Sequence, residues 1–320
     1  MDSMFKNRLE KNFNFHKKWA KRENVTAFRI YDRDIPEYSY SIDYYDGSII
    51  VYEYERGKAS LRYTEEYMQA DKEQLEEVIL SIKNLFAIDD SKLFLKLRKR
   101  QKGLFQYERQ DEKDVTKIVS EGDMKFKVNL SDYLDSGLFL DHRKTRQIIK
   151  KSVEGKNILN LFAYTGSVSV AAAYGRAERI TTVDMSNTYL KWAEENFKIN
   201  KIPLEKHEFI RADIMTWLPT VSYRAKKYDF IFLDPPSFSN SKKMHESFDV
   251  QKDYIFLLNQ CEKLLTSCGS ILFSCNLRSF KFAKDLFEDR FIIEDLTKKT
   301  IPKDFRNERI HHAWLLTKKV

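Results

Sequence analysis

The chain is poor in cysteine, and the three it has suit neither disulfides nor zinc. Cys261, Cys268 and Cys275 are odd in number and show no CxxC spacing. That argues against a disulfide framework and a structural zinc site, and we expect a reducing cytoplasm and no metal. No apolar run is long enough to cross a bilayer. The stretch Met1–Lys11 is polar and charged and lacks the apolar centre of a secretory signal. Internal repeats and low-complexity tracts are absent. Acidic residues are missing from Ser91 to Tyr107, where Lys92, Lys96, Arg98, Lys99, Arg100 and Lys102 stand without a counter-charge.

What is present describes a globular protein. Its 320 residues are 42% hydrophobic and carry a net charge of +8, enough length for two cored domains. The charge hints at a polyanionic partner. The basic run says more, because Gln101, Phe105, Gln106 and Tyr107 place stacking groups beside phosphate-seeking cations. Lys96, Arg98, Lys99, Arg100, Gln101 and Lys102 are therefore the expected RNA-binding residues. A second run (Lys11, Lys17, Lys18, Lys21, Arg22) reads equally well as a solvated face.

The pattern divides the chain in three. Residues 1–24 read as a basic amphipathic helix with Leu9, Phe13 and Trp19 on its apolar side. Residues 25–127 read as an α+β RNA-binding domain. Strands are expected at Ala27–Tyr31, Tyr40–Asp43 and Ile49–Tyr54, with Asp46-Gly47 as a hairpin turn. A helix from Asp71 to about Ile88 has Asp71 as its N-cap, and Leu93–Leu97 is a further strand. Residues 128–320 change to alternation. Strands at Asn157–Phe162, Arg179–Asp184, His207–Arg211, Tyr228–Leu233 and Ser270–Asn276 are each followed by a helical segment, the last around Ala283. Ile292–Leu296 and His311–Thr317 close the chain. The reading is an α/β, Rossmann-like doubly wound sheet with an antiparallel final strand.

Four polar residues fall at or just beyond strand ends, where open α/β sheets bind ligands: Asn160, Asp184, Asp213 and Asp234. The first strand runs into Phe162-Ala163-Tyr164-Thr165-Gly166. A single glycine there disfavours a pyrophosphate cradle and hence NAD or FAD. S-adenosylmethionine (SAM) has no phosphate, and this turn can hold its methionine portion. Asp184 is placed to accept hydrogen bonds from ribose hydroxyls, with Met185 beside the adenosine. Asp213 can reach the adenine amino group, with helix capping as its rival role. Asp234-Pro235-Pro236-Ser237, after a buried strand, suggests a methyltransferase that uses SAM, a reading that needs the rest of the chain for its context. Asp234, Pro235, Pro236 and Phe238 are the candidate catalytic residues, with Asn240 and Lys242 close by and Lys242 a further RNA contact.

Together these residues resemble the K half (RlmK) of the bacterial 23S ribosomal RNA methyltransferase K/L family over nearly the whole chain. The matching stretches are Tyr31–Tyr38, Arg100–Gly103, Asn129–Arg143, Asn160–Gly166, Val183–Ser186 and Asp234–Lys242. The resemblance implies N7 methylation of a guanine in 23S rRNA, naked or in a ribosome assembly intermediate. It also implies that Leu138–Arg143 closes over the cofactor, with Phe139 and Asp141 lining it and Arg143 taking the methionine carboxylate. Neither the family's L half nor its THUMP domain is visible, so a stand-alone enzyme, an excised domain and an L-type partner all stay open, as does the oligomeric state.

Guanine N7 has a lone pair and no proton to lose, so its methylation needs no general base. Ser237 stands where exocyclic-amine methylases carry an aromatic residue, which argues against an amine acceptor. Cys275, in Phe273-Ser274-Cys275-Asn276, raises a cytosine-C5 alternative, in which a thiolate attacks C6. Cytosine methylases of the RlmI type carry a cysteine there, in a Ser-Cys-Ser element. A plain buried cysteine is the blander alternative. A non-catalytic RNA-binding protein and a DNA methylase are the remaining ones.

Overall fold

The computed structural model describes residues 3–54, 65–98, 112–221, 227–239 and 247–319. The chain forms two compact units. One holds Met1–Asp123, Val128–Ser136 and Lys303–Arg306; the other holds Met124–Lys127, Gly137–Pro302 and Asn307–Val320. The division is not at a single point near residue 127, because the chain passes between units several times.

The first unit opens with α1 (Met4–Arg22), capped by Ser3, whose hydroxyl accepts from Lys6 N at 3.1 Å. Three strands follow, β1 (Ala27–Asp32), β2 (Tyr40–Tyr45) and β3 (Ser48–Tyr54), then α2 (Glu65–Phe86) and β4 (Leu93–Arg98). The sheet order is β1-β2-β3-β4, with β4 parallel to β3 and the other pairs antiparallel. Asp46 and Gly47 both have positive φ, the backbone a two-residue hairpin turn demands. Phe5, Leu9 and Trp19 of α1 and Val78 and Ile82 of α2 close one core with the strands. The helix α2 starts before the expected cap, so Asp71 lies inside it. The polar residues ahead of Asp71 are good helix formers, and periodicity marked only the buried face.

Two expected RNA contacts are committed elsewhere in this unit. Lys96 is buried, its ammonium donates to Tyr133 O, and burial pushes it down to about 8. Arg98 pairs with Asp135 and lies over the Tyr52 ring. Strand β4 turns these two charges inward and exposes Leu95 and Leu97, because alternate strand residues face opposite sides. Lys99, Arg100, Gln101 and Lys102 lie outside the described residues, as do Asn240 and Lys242.

Two strands that the sequence reading did not name follow, β5 (Thr116–Glu121) and β6 (Met124–Asn129), a two-stranded pair. The second unit then alternates: α3 (Arg143–Ser152), β7 (Asn157–Leu161), α4 (Ser167–Tyr174), β8 (Arg179–Asp184), α5 (Asn187–Ile199), β9 (Glu208–Arg211), α6 (Ile214–Val221) and β10 (Tyr228–Leu233). A short pair, β11 (Phe238–Ser239) and β12 (Phe248–Asp249), leads to α7 (Val250–Leu264), β13 (Leu265–Cys275), β14 (Phe291–Asp295), α8 (Thr297–Thr300) and β15 (His312–Lys318). The seven-stranded sheet runs β14-β15-β13-β10-β7-β8-β9. It is parallel except at β15, which is antiparallel to both its neighbours. Around Ala283 the expected helix is only a three-residue turn, Lys284–Leu286. There Phe280, Phe282 and Phe287 pack as rings against Tyr254, and those anchors override helical spacing.

Chain order reverses between β7 and β10, so their carboxyl ends form the switch point where a crevice opens. Asn160 and the glycine turn leave β7 there, and Asp234 leaves β10.

Candidate active site

The turn after β7 is held in an unusual backbone. Phe162 and Tyr164 both have positive φ, 55° and 52°, as does Gly166 at 70°. Left-handed backbone at non-glycine residues costs of the order of 1–2 kcal/mol each and persists only where neighbours impose it. The neighbours are identifiable. Ala163 N donates to Val183 O, Thr165 Oγ1 donates to Gly137 O at 2.6 Å, and Asn196 Nδ2 donates to Thr165 O at 2.8 Å. A Cβ on Gly166 would stand 2.6 Å from that of Ala193, so α5 can approach only a glycine. Gly137 faces the Trp192 ring in the same way, and any side chain there would overlap it.

Asn160 lies on the floor of this turn, 1% exposed. Its Nδ2 donates to Ser169 Oγ, which in turn meets Thr182 Oγ1. Its Oδ1 has no partner among the described residues, an acceptor left open in a buried place.

Asp184 ends β8 and braces the turn. Its two oxygens accept from Tyr164 N and Ser186 N, both at 2.8 Å. Burial nevertheless dominates and raises its carboxyl to about 6. The Met185 amide also bonds this carboxylate, which leaves room for a further donor such as a ribose hydroxyl. Beside it the rings of Phe139, Tyr164 and Tyr189 contact in series, at 5.0 and 4.5 Å between centroids. Met185 O accepts from Arg211 Nε. Asp213 takes the capping role: its Oδ1 accepts from Met215 N, and Trp217 N bonds its carbonyl. Arg143 is fully buried as the first residue of α3.

Asp234 is partly buried at the end of β10, Pro235 is buried, Pro236 is partly buried, and Phe238 is 41% exposed. Ser237 Oγ donates to Asn276 Oδ1 at 2.6 Å, tying this loop to the end of β13. Cys275 is wholly buried within the apolar core and its Sγ accepts from Leu277 N. Burial pushes its thiol up to about 12.

Two histidines that sequence reading passed over complete the cluster. His142 Nε2 lies 3.4 Å from Asp234 Oδ2 and 3.8 Å from Asp141 Oδ2. His311 Nδ1 meets Asp141 Oδ2 at 2.9 Å, and its Nε2 meets Thr300 Oγ1 at 2.9 Å. Asp141, expected at the cofactor, thus faces both histidines. The trio Asp141, His142 and His311 is close enough to share a cation. However, the imidazoles stack face to face, 4.8 Å apart and 14° from parallel, and His311 engages both nitrogens, so the ligands do not converge as a metal requires. A signal existed in part, since Asp141-His142-Arg143 lies in a family-like stretch; nothing local marks His311.

The strand order with its antiparallel β15, the strained turn at the switch point and the strand-end acids define a SAM-dependent methyltransferase. Residues 34–305 match the model of the S-adenosylmethionine-dependent methyltransferase family, and the chain belongs to that family. It is 49% identical over 316 residues to the ribosomal RNA large subunit methyltransferase K/L of Hahella chejuensis, covering 97% of this chain and 42% of that protein. To the protein of that name from Pseudoalteromonas atlantica it is 48% identical over 315 residues, covering 98% and 44%. The chain therefore spans less than half the length of these relatives. Its fold is similar to the crystal structure of SMU.776 complexed with SAH, with a TM-score of 0.74 at 23% identity, covering 98% of this chain and 82% of that one. It is also similar to the SAM-dependent methyltransferase from Agrobacterium tumefaciens, with a TM-score of 0.55 at 16% identity over 88% and 87%. Among the described residues no helix is long and apolar enough to cross a membrane.

The site suits this cofactor: an open acceptor at Asn160, a turn that exposes its backbone, and at Asp184 a carboxylate with room for a further donor.

Proposed function

We propose that this chain methylates N7 of a guanine in large-subunit ribosomal RNA. Two relatives that share nearly half its residues over almost its whole length carry the name of large-subunit rRNA methyltransferases. The choice of atom rests on one observation, the burial of Cys275. A C5 methylase needs a thiolate nucleophile; a buried thiol pushed up to about 12 by burial and by the charge of Asp234 disfavours one.

SAM supplies an electrophilic methyl group on a sulfonium. The chain's own residues hold and orient. In this reading Asn160, the turn Phe162–Gly166, Asp184 and Met185 hold the cofactor, with Phe139 alongside and Arg143 taking its carboxylate. Asp213, occupied as a cap, contributes its remaining oxygen to the adenine. Asp234 accepts hydrogen bonds from the N–H groups on the Watson–Crick edge of an extruded guanine, which leaves N7 free on the opposite edge. The same carboxylate offsets the positive charge that N7 gains. Pro235 and Pro236 fix the direction of the loop, and Phe238 presents an exposed ring for stacking.

The test is nucleoside mass spectrometry of unmodified 23S rRNA after incubation with SAM and either the wild type or Cys275→Ser. New 7-methylguanosine with both proteins is the expected outcome. New 5-methylcytidine that disappears with Cys275→Ser would overturn the reading.

A further inference from the structure

We propose that His142 is a positioning residue for methyl transfer, a neutral imidazole that orients Asp234 without cancelling its charge. The inference rests on the reading above, in which Asp234 holds the base.

Four observations carry it. First, His142 Nε2 is 3.4 Å from Asp234 Oδ2, just beyond the usual N–H···O range, and in the proposed complex it closes to a hydrogen bond. Second, the ring is clamped. It stacks on His311 and meets Phe232 edge-on at 6.2 Å and 82°. Phe232 belongs to β10, two residues before Asp234, so the imidazole is registered to the strand that delivers the carboxylate. Third, the clamp is itself anchored, because His311 is tied to Asp141 at one nitrogen and Thr300 at the other. Thr300 Oγ1 also lies 3.1 Å from Leu296 O and 2.9 Å from Thr297 O. Fourth, His142 Nδ1 is buried with no hydrogen-bond partner among the described residues.

The fourth observation selects the protonation state. An imidazolium would bury an N–H with no acceptor, whereas the neutral tautomer with its proton on Nε2 leaves only a lone pair there. The surrounding charges divide. Asp234 and Asp141 favour the imidazolium; burial, the largest influence, together with His311 and Arg146, opposes it, and the net direction is downward from the ordinary histidine value. A neutral donor suits the task. It fixes the carboxylate's orientation, yet leaves the full negative charge for the guanine edge. Protonated His142 would form an ion pair and weaken Asp234 as an acceptor. No proton transfer is assigned to His142, since N7 has none to lose.

The test compares wild type, His142→Phe, His142→Gln and Asp234→Asn on unmodified 23S rRNA, naked or in the precursor particle, whichever supports turnover. His142→Phe keeps a ring in the clamp but removes the donor. It should lower kcat about 10- to 100-fold with SAM affinity unchanged. His142→Gln, with a neutral N–H near the position of Nε2, should recover most of the loss. At saturating SAM at every pH, because Asp184 weakens SAM binding below about 6, wild-type kcat should fall on the acid side, below the ordinary histidine value of 6.5, and this limb should be absent in His142→Gln. If His142→Phe does not fold, the pH profile of His142→Gln against wild type decides alone: an acid limb kept unchanged in the glutamine variant overturns the proposal. So does wild-type kcat in His142→Phe, or a loss that glutamine does not relieve. If Asp234→Asn loses turnover while His142→Phe does not, only this inference falls; if Asp234→Asn turns over normally, the assignment of the base to Asp234 falls with it.

Discussion

A single carboxylate, Asp184, answers to two demands. The backbone amides of Ser186, Tyr164 and Met185 and, in our reading, the ribose want it charged; its burial wants it neutral, and burial has moved it up from 3.8 to about 6. Only the ionised form has room for that further donor. SAM affinity should therefore be flat above pH 6 and fall by up to tenfold per pH unit below it, as isothermal titration across pH 4.5–8 would show. Asp184→Ala should weaken SAM about 10- to 100-fold, the loss of hydrogen bonds to a charged group at about 1.5–3 kcal/mol, and should abolish that pH dependence. The sign for stability is the reverse. Between 3.8 and about 6 the folded protein holds a proton that the unfolded chain releases, so this group's contribution to stability falls as pH rises through that window.

At the scale of elements, α5 couples a strand to the cofactor turn. Asn196 Oδ1 accepts from Lys127 N while its Nδ2 donates to Thr165 O. Asn200 exchanges hydrogen bonds with both backbone groups of Lys125, and Trp192 Nε1 donates to Lys127 O. A fragment of residues 128–320, cut where composition alone would divide the chain, lacks these β6 partners of α5. It should bind SAM at least about tenfold more weakly than the full chain and lose about 0.5–1.5 kcal/mol for each missing bond, measured by titration and urea melts. A fragment with full affinity would show the clamp to be dispensable. This explains what was legible in the sequence. The βα alternation and strand-end residues were readable because buried parallel strands are short apolar runs and their ends are punctuated by Asp, Gly and Pro. In β6 the alternation of Met124, Phe126 and Val128 with Lys125 and Lys127 is a strand pattern, but the worth of the strand lies in backbone groups that hold α5, and no residue pattern shows those. Likewise His142 and His311 stand far apart in sequence and meet only through the fold, and the positive φ of Phe162 and Tyr164 has no local residue code.

For the whole molecule, the basic charge must be divided into cations that hold the fold and cations left for a polyanion. The net charge of +8 does not make that division, and neither does the acid-free run from Ser91 to Tyr107. The structure makes it for two members: Lys96 is buried on Tyr133 and Arg98 is paired with Asp135. A cation already paired inside the protein releases no counterions from RNA, so it adds nothing to the salt dependence of binding. Arg98→Ala should therefore leave Asp135 unpaired, cost about 1–3 kcal/mol and lower Tm, without changing the slope of log K against log salt. Lys99→Ala, Arg100→Ala and Lys102→Ala combined should do the opposite. If these three meet phosphates, as we propose, the slope should fall in magnitude by about 2–3, roughly 0.7–0.9 for each phosphate no longer neutralised, with Tm unchanged. Filter binding of 23S rRNA from 50 to 300 mM salt, beside thermal melts of the same proteins, separates the two groups. A slope that moves with Arg98 and not with the triple variant would place the RNA grip elsewhere on the molecule, with the second basic run, Lys11 to Arg22, next to be tested.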